Sequence, residues 1–173
     1  MRAAFSHLVL FTAALAASVA GAYPDGAPWG AANPSTAEHC ASCHYDYDAV
    51  QDSDAISIDG LPDNPVPDTV YDLIVRFSAP DAATSGFQIV AQAEDHDAGV
   101  FSGDTPGIEF IGAAIRSTKP AEYFDGVSWV IRWRAPSSIM LPIVFFVAAS
   151  ASNDDGSPLG DTIHYRSFKM PAE

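Results

Sequence analysis

Positive charge is what this chain lacks most. Eight Lys and Arg stand against 22 Asp and Glu, a formal net charge of −14, and the lysines are Lys119 and Lys169 alone. That balance excludes nucleic acid and anionic membrane surfaces as partners, because neither would gain Coulomb attraction or counterion release. It suits steering toward a partner with a basic face. The apolar stretch Phe5 to Ala17 falls short of the roughly 20 residues that span a bilayer as a helix. Cysteine is scarce, with two in the chain, which excludes a disulfide framework. The sequence also lacks internal repeats, low-complexity tracts, paired carboxylates, a nucleophile elbow and a phosphate loop.

What is present describes a folded, exported domain. The 173 residues are 48% hydrophobic and only 17% charged, enough for one domain with a real core and too apolar for a disordered chain. Arg2 precedes the apolar stretch, and Ala20-Gly21-Ala22 supplies the small-x-small pattern of a signal-peptidase site. Residues 1–22 are therefore expected to be a signal peptide, with a mature chain starting at Tyr23-Pro24. No second hydrophobic segment or lipidation signal follows. The mature chain is expected to carry no membrane anchor and to reside in the periplasm or outside the cell.

Period-two patterning dominates from about Ala55 onward. Tyr71, Leu73, Val75 and Phe77 alternate with Asp72 and Arg76, Phe87, Ile89, Ala91 and Ala93 repeat the pattern, and Trp129, Ile131 and Trp133 alternate with Arg132 and Arg134. Ile108 to Ile115 and Ile143 to Ala149 read as further strands, the second so continuously apolar that it belongs at the centre of a sheet. Thr162 to Phe168 closes the series. Turn residues separate the runs, as in Gly60-Leu61-Pro62, Asp125-Gly126 and Asn153-Asp154-Asp155-Gly156. The expected fold is all-β: an immunoglobulin-like antiparallel β-sandwich over residues 55–173 behind an N-terminal arm, residues 23–54. Within the arm, Ala37 to His44 reads as a short helix capped by Ser35 or Thr36.

The arm carries the chemistry. Cys40-Ala41-Ser42-Cys43-His44 is a CxxCH motif, the attachment signature for c-type haem in an exported chain. Two thiols add to the vinyl groups, and the next imidazole reaches the iron from the same side. A redox-active CxxC pair is the rival reading, but the βαβ surroundings of a thioredoxin-type motif are missing. The cofactor expected is therefore one covalent haem c on Cys40 and Cys43, with His44 as proximal ligand.

Two resemblances extend this reading. Tyr23-Pro24, Asn33-Pro34, the CxxCH motif and the strand Val66-Pro67-Asp68-Thr69-Val70-Tyr71 resemble the start of mature cytochrome f. That resemblance implies electron transfer, and it implies the α-amine of Tyr23 as distal iron ligand, with Pro24 restricting the exit of the chain and Trp29 or the Tyr45 and Tyr47 pair shielding a haem face. The chain departs from that family in having no second small domain, no C-terminal membrane helix and no basic docking patch. From Ser57 onward the chain is similar to reeler-like, choice-of-anchor β-sandwich domains of secreted proteins. The stretches concerned are Gly60-Leu61-Pro62 before Tyr71-Asp72-Leu73, Gly86-Phe87-Gln88-Ile89, Trp133-Arg134-Ala135-Pro136, and Asn153-Asp154-Asp155-Gly156 leading to Gly160-Asp161.

Conventional distal ligands remain open beside Tyr23. His96 and His164 are the alternatives, and His39 is too close to Cys40 to reach the far side of the same haem. Met140 reads as a core residue and Met170 as part of the tail. The expected function is an exported monohaem electron carrier, not an enzyme, working with other redox proteins that carry a basic docking face, with self-assembly into longer haem chains left open. The alternatives are a haem-based small-ligand sensor or enzyme with an open sixth position, or a secreted reeler-like binding or adhesion module. Asn153-Asp154-Asp155-Gly156 reads as a turn, since it lacks the spaced oxygens of a calcium loop.

Overall fold

The computed structural model describes residues 26–80, 82–140 and 142–170. The expected signal peptide, Tyr23 and Pro24 lie outside the described residues. In chain order the strands are β1 (Ile56–Asp59), β2 (Val70–Phe77), β3 (Thr84–Ser85), β4 (Phe87–Ala93), β5 (His96–Asp97), β6 (Val100–Ser102), β7 (Ile108–Ile111), β8 (Ala114–Ser117), β9 (Ala121–Glu122), β10 (Val127–Arg134), β11 (Ile143–Ala151) and β12 (Thr162–Met170). They form an antiparallel β-sandwich, the fold class expected from the alternation. One sheet runs β1-β2-β10-β6, and the other runs β12-β11-β4-β8-β7 with β5 paired to β4. A small pair, β3 and β9, stands apart.

The core forms where the inner faces of the two large sheets meet. Trp133, Phe77, Phe145, Leu73, Ile89 and Ile131 are among its fully buried side chains, each contributing about 1.5–3 kcal/mol by leaving water. Trp133 stacks on Tyr71 at 5.9 Å and meets Phe145 edge-on at 5.0 Å, while its indole N–H donates to the Ala98 carbonyl at 2.9 Å. The alternation in β2 and β10 places this set inward and leaves Asp72, Arg76, Arg132 and Arg134 on the outside. β11 lies between β12 and β4, the central position its continuous apolar character required.

Three local expectations are corrected. Ile108 to Ile115 is a hairpin, not one strand: β7 and β8 pair through the register Ile111 with Ala114, and Gly112 at φ +53 turns the chain. The apolar neighbours on both sides of Gly112 hid the turn. Ala37 to His44 contains a single 3-10 turn, Cys40–Ser42, in place of a helix. Thr36 does not cap it, because its hydroxyl lies 2.8 Å from both the Asn33 and the Glu38 carbonyl oxygens and donates to this local backbone, the competition that keeps such residues out of helices. Finally, the methionines trade places. Met170 is buried because β12 runs on to pair it with Ile143, whereas Met140 is exposed.

The arm lies on the outer face of the six-stranded sheet. Ala32, Val90, Ala114, Ala148, Ile163 and Tyr165 form a second buried cluster there, with Cys40, Ala41 and Ala49 packed on it. Polar side chains that would face solvent in an ordinary sandwich instead clasp the arm. Gln88 accepts from the Ala32 N–H at 2.9 Å and donates to the Pro28 carbonyl at 2.8 Å. Asn33 donates to Gln92 at 3.1 Å, and Arg116 donates to the Ala27 carbonyl at 2.9 Å. At its far end the arm pairs with the edge of β12, where the Val50 and Ser53 N–H groups donate to the Ile163 and Tyr165 carbonyls.

Candidate functional site

A cleft of about 510 Å³ opens where the arm stands off the sheet, within the 300–1,000 Å³ range of small-molecule sites. Its lining includes Ala148 and Ile163 from the sheet, Gly26 to Pro28 from the arm, and the 154–158 segment of the loop before β12. Cys40, Cys43 and His44 all line it. The CxxCH motif is therefore at the rim of this cleft, and the two cysteines are free thiols.

Local bonding fixes the motif. The Cys40 N–H donates to the Ala31 carbonyl at 3.1 Å, and the Cys43 and His44 N–H groups both donate back to the Cys40 carbonyl at 3.3 Å. Tyr165, which reaches up from β12, takes the Ala41 N–H on its hydroxyl at 2.8 Å and lies 3.2 Å from His39 Nδ1. Burial pushes the Tyr165 phenol well above its usual value, so the hydroxyl stays neutral and serves as a fixed anchor. Burial likewise pushes the Cys40 thiol up to about 12, against a smaller opposing effect of a backbone hydrogen bond. A thiol held in that form is a poor nucleophile for disulfide exchange, which depends on the thiolate.

His44 has one close neighbour of opposite charge type. Its Nδ1 lies 2.9 Å from Oδ2 of Asp161, yet the approach is outside hydrogen-bond geometry and Nδ1 is buried without a partner. Asp161 is itself only 3% exposed, and its Oδ1 accepts from the Asn153 N–H at 3.2 Å. The loop from Asn153 to Leu159 is a chain of Asx- and Ser-type turns, which agrees with its expected role as a turn. Asp161 was not singled out as a site residue by the sequence. Its only signal there is an acid following Gly160 just before a strand.

The other sequence candidates are placed elsewhere. His164 points into the core: its neighbours Ile163 and Tyr165 face the arm, so the period of two turns His164 the other way. There Nδ1 sits 2.8 Å from the Ser53 hydroxyl and the ring meets Phe77 edge-on at 5.1 Å, and burial lowers its pKa. His96 is exposed on β5 and does not line the cleft. Trp29 does not line it either, since the Arg116 guanidinium covers its ring at 4.5 Å. Tyr45 and Tyr47 are exposed. His39 does line the cleft, with its Nδ1 turned to Tyr165.

A scan against protein-family models finds no match, and no curated protein matches. Solved structures do match. The Reelin-N domain of F-spondin aligns at 18% identity with a TM-score of 0.53, covering 78% of this chain and 95% of that one. Two human F-spondin reeler-domain fragments align at 17% and 18% identity, with TM-scores of 0.48 and 0.49, over 69% and 72% of this chain and 88% and 96% of theirs. At such identities the likeness shows the β-sandwich fold. It corrects the placement among cytochromes: these three structures are reeler domains, not cytochromes, and the cytochrome f-like, electron-transport description falls with it. The expected metal-binding description is corrected as well, because among the described residues no three His, Cys, Asp or Glu converge to hold a metal ion. Among those residues there is also no helix long and apolar enough to cross a membrane.

Proposed function

We propose that this chain is an exported binding module of reeler-like fold, whose ligand sits in the cleft between the arm and the six-stranded sheet. The observation that carries the reading is the cleft, which the arm creates by covering a sheet face that would otherwise meet solvent. Its apolar floor at Ala148 and Ile163 and its walls at Pro28 and Pro158 suit a flat, largely apolar molecule. The pattern of Arg2, the short apolar stretch and Ala20-Gly21-Ala22 supports export.

The cofactor proposed for the cleft is one covalently attached haem c. The donor set fits it: two thiols and one imidazole within five consecutive residues border one apolar concavity, and a tetrapyrrole held by thioethers needs no further cluster of side chains. When bound, the group would supply an iron centre with His44 on one side. Cys40 and Cys43 would hold the group through two thioethers, and because a thiol adds across a vinyl bond with its hydrogen retained, such attachment would release nothing and need no oxidant. Tyr165 and Ala31 hold the 3-10 turn in place, so the two sulfurs and the imidazole keep a common rim.

The test is the exported full-length chain beside a Cys40→Ala, Cys43→Ala double variant. A Soret band that survives denaturation and acid extraction is expected in the parent and lost in the variant, with unchanged far-UV circular dichroism in both. Exported protein with free thiols and no Soret band overturns the cofactor. If that protein also takes up no flat apolar dye, and the dye fails to protect residues 26–54 from exchange, the module reading is overturned with it.

A further inference from the structure

We infer that Asp161 is the positioning residue for His44, holding the proton on Nδ1 so that Nε2 is the free nitrogen presented to the cleft. The inference deepens the cleft reading above and rests on it for the identity of what Nε2 meets. It does not rest on it for the pairing of the two side chains.

Asp161 is buried where no strand pairing explains it. A carboxylate away from water costs several kcal/mol unless charges or donors surround it. The donors near this one are the Asn153 N–H on Oδ1 at 3.2 Å and the His44 ring 2.9 Å from Oδ2. Asn153 thus fixes the plane of the carboxyl, leaving Oδ2 to the imidazole. The loop that carries Asp161 is tied to the motif a second time, because the Gly160 N–H donates to Oδ2 of Asp46 at 3.1 Å, two residues beyond His44. Gly160 sits at φ +84, and a Cβ there would lie 2.5 Å from Nδ2 of the Asn153 side chain, so any other residue is strained at this turn.

His44 Nδ1 is the counterpart, a buried ring nitrogen with no hydrogen bond and a carboxylate as its near neighbour. The χ2 torsion of histidine is broad, so a small rotation of the ring aligns Nδ1–H with Oδ2. In the neutral imidazole only one nitrogen carries hydrogen, and the hydrogen bond decides which. With Nδ1 as donor, Nε2 on the other side of the ring is an acceptor or ligand.

The experiment uses the exported full-length chain labelled with [15N]histidine and kept reduced, together with Asp161→Asn, Asp161→Ala and the loop control Asp155→Asn. His44 is expected to be Nδ1-protonated in the parent and in Asp155→Asn. It should remain so in Asp161→Asn, whose amide oxygen still accepts, and shift toward the Nε2–H tautomer in Asp161→Ala. In chain carrying the cofactor, free imidazole should displace His44 from the iron at about 10-fold or more lower concentration in Asp161→Ala. An unchanged Nδ1-protonated His44 in Asp161→Ala, at equal thermal stability, overturns the assignment. Protein without haem still yields the tautomer result, so failure of the cofactor reading is told apart from failure of this one.

Discussion

The outer faces of the two large sheets began from the same strand geometry and ended in different roles. On β2 and β10 the outward residues Asp72, Arg76, Val130 and Arg132 meet solvent, and Ile74 is half-buried. On β4 and β11 the outward residues Gln88, Val90 and Ala148 are buried under residues 26–54. One face is a solvated back, and the other is the floor of a cleft. The difference arises from few contacts: two carbonyl or amide bonds to Gln88, one to Gln92, the Arg116 clasp and the Tyr165 anchor. It teaches that a sandwich gains a cleft by capping one sheet, without altering the core between the sheets.

Substitutions can break that comparison at different depths. Trp133→Ala removes the side chain both sheets share and is expected to lower global stability by about 3–5 kcal/mol, read as a common downward shift of all unfolding probes. Loss of the arm alone, with the strands intact, would show that the core and arm are less separable than argued. Gln88→Ala leaves the Ala32 N–H and the Pro28 carbonyl without their partner. It is expected to cost about 1–3 kcal/mol, appearing as faster hydrogen exchange in residues 26–54 with β2 and β10 unchanged.

A pH titration probes the inner face of β12. Burial lowers the pKa of His164 in the folded chain, so the unfolded state binds its proton first. Stability from this group is complete above the unfolded value of about 6.5 and declines as pH falls through the lower folded value. Denaturant midpoints measured down that range should fall less in His164→Gln than in the parent, provided the Gln variant still packs against Phe77. The smallest effect belongs to the solvated back. Val130→Thr should change stability by no more than about 0.5 kcal/mol, and the same urea series checks it.

The sandwich was legible because burial on one face writes itself as alternation. Tyr71 to Phe77 and Trp129 to Trp133 gave their strands directly, and the unbroken apolar run of β11 located the sheet centre. Alternation cannot report a face covered by a distant segment. Gln88 reads as an ordinary outward polar residue, and only its zero-period neighbours Val90 and Ala148, apolar on the side expected to be wet, hint at a cover. The CxxCH motif stood out as a pattern because its residues are adjacent in sequence, and the structure adds only that all three line the cleft. Asp161 did not stand out, because its link to His44 spans more than a hundred residues and exists only after β12 has docked beside the arm. The histidines went astray for a related reason: type and loop position suggested ligands, whereas strand phase turned His164 inward.

The central claim is that the arm and the six-stranded sheet frame a cleft whose occupant is joined to the arm. Peptide-level mass spectrometry of the chain recovered from its own export route tests it most directly. The account expects the fragment spanning Cys40 to His44 to carry the full mass of one haem through both cysteines, with no loss of hydrogen. An unmodified fragment bearing two free thiols would contradict it.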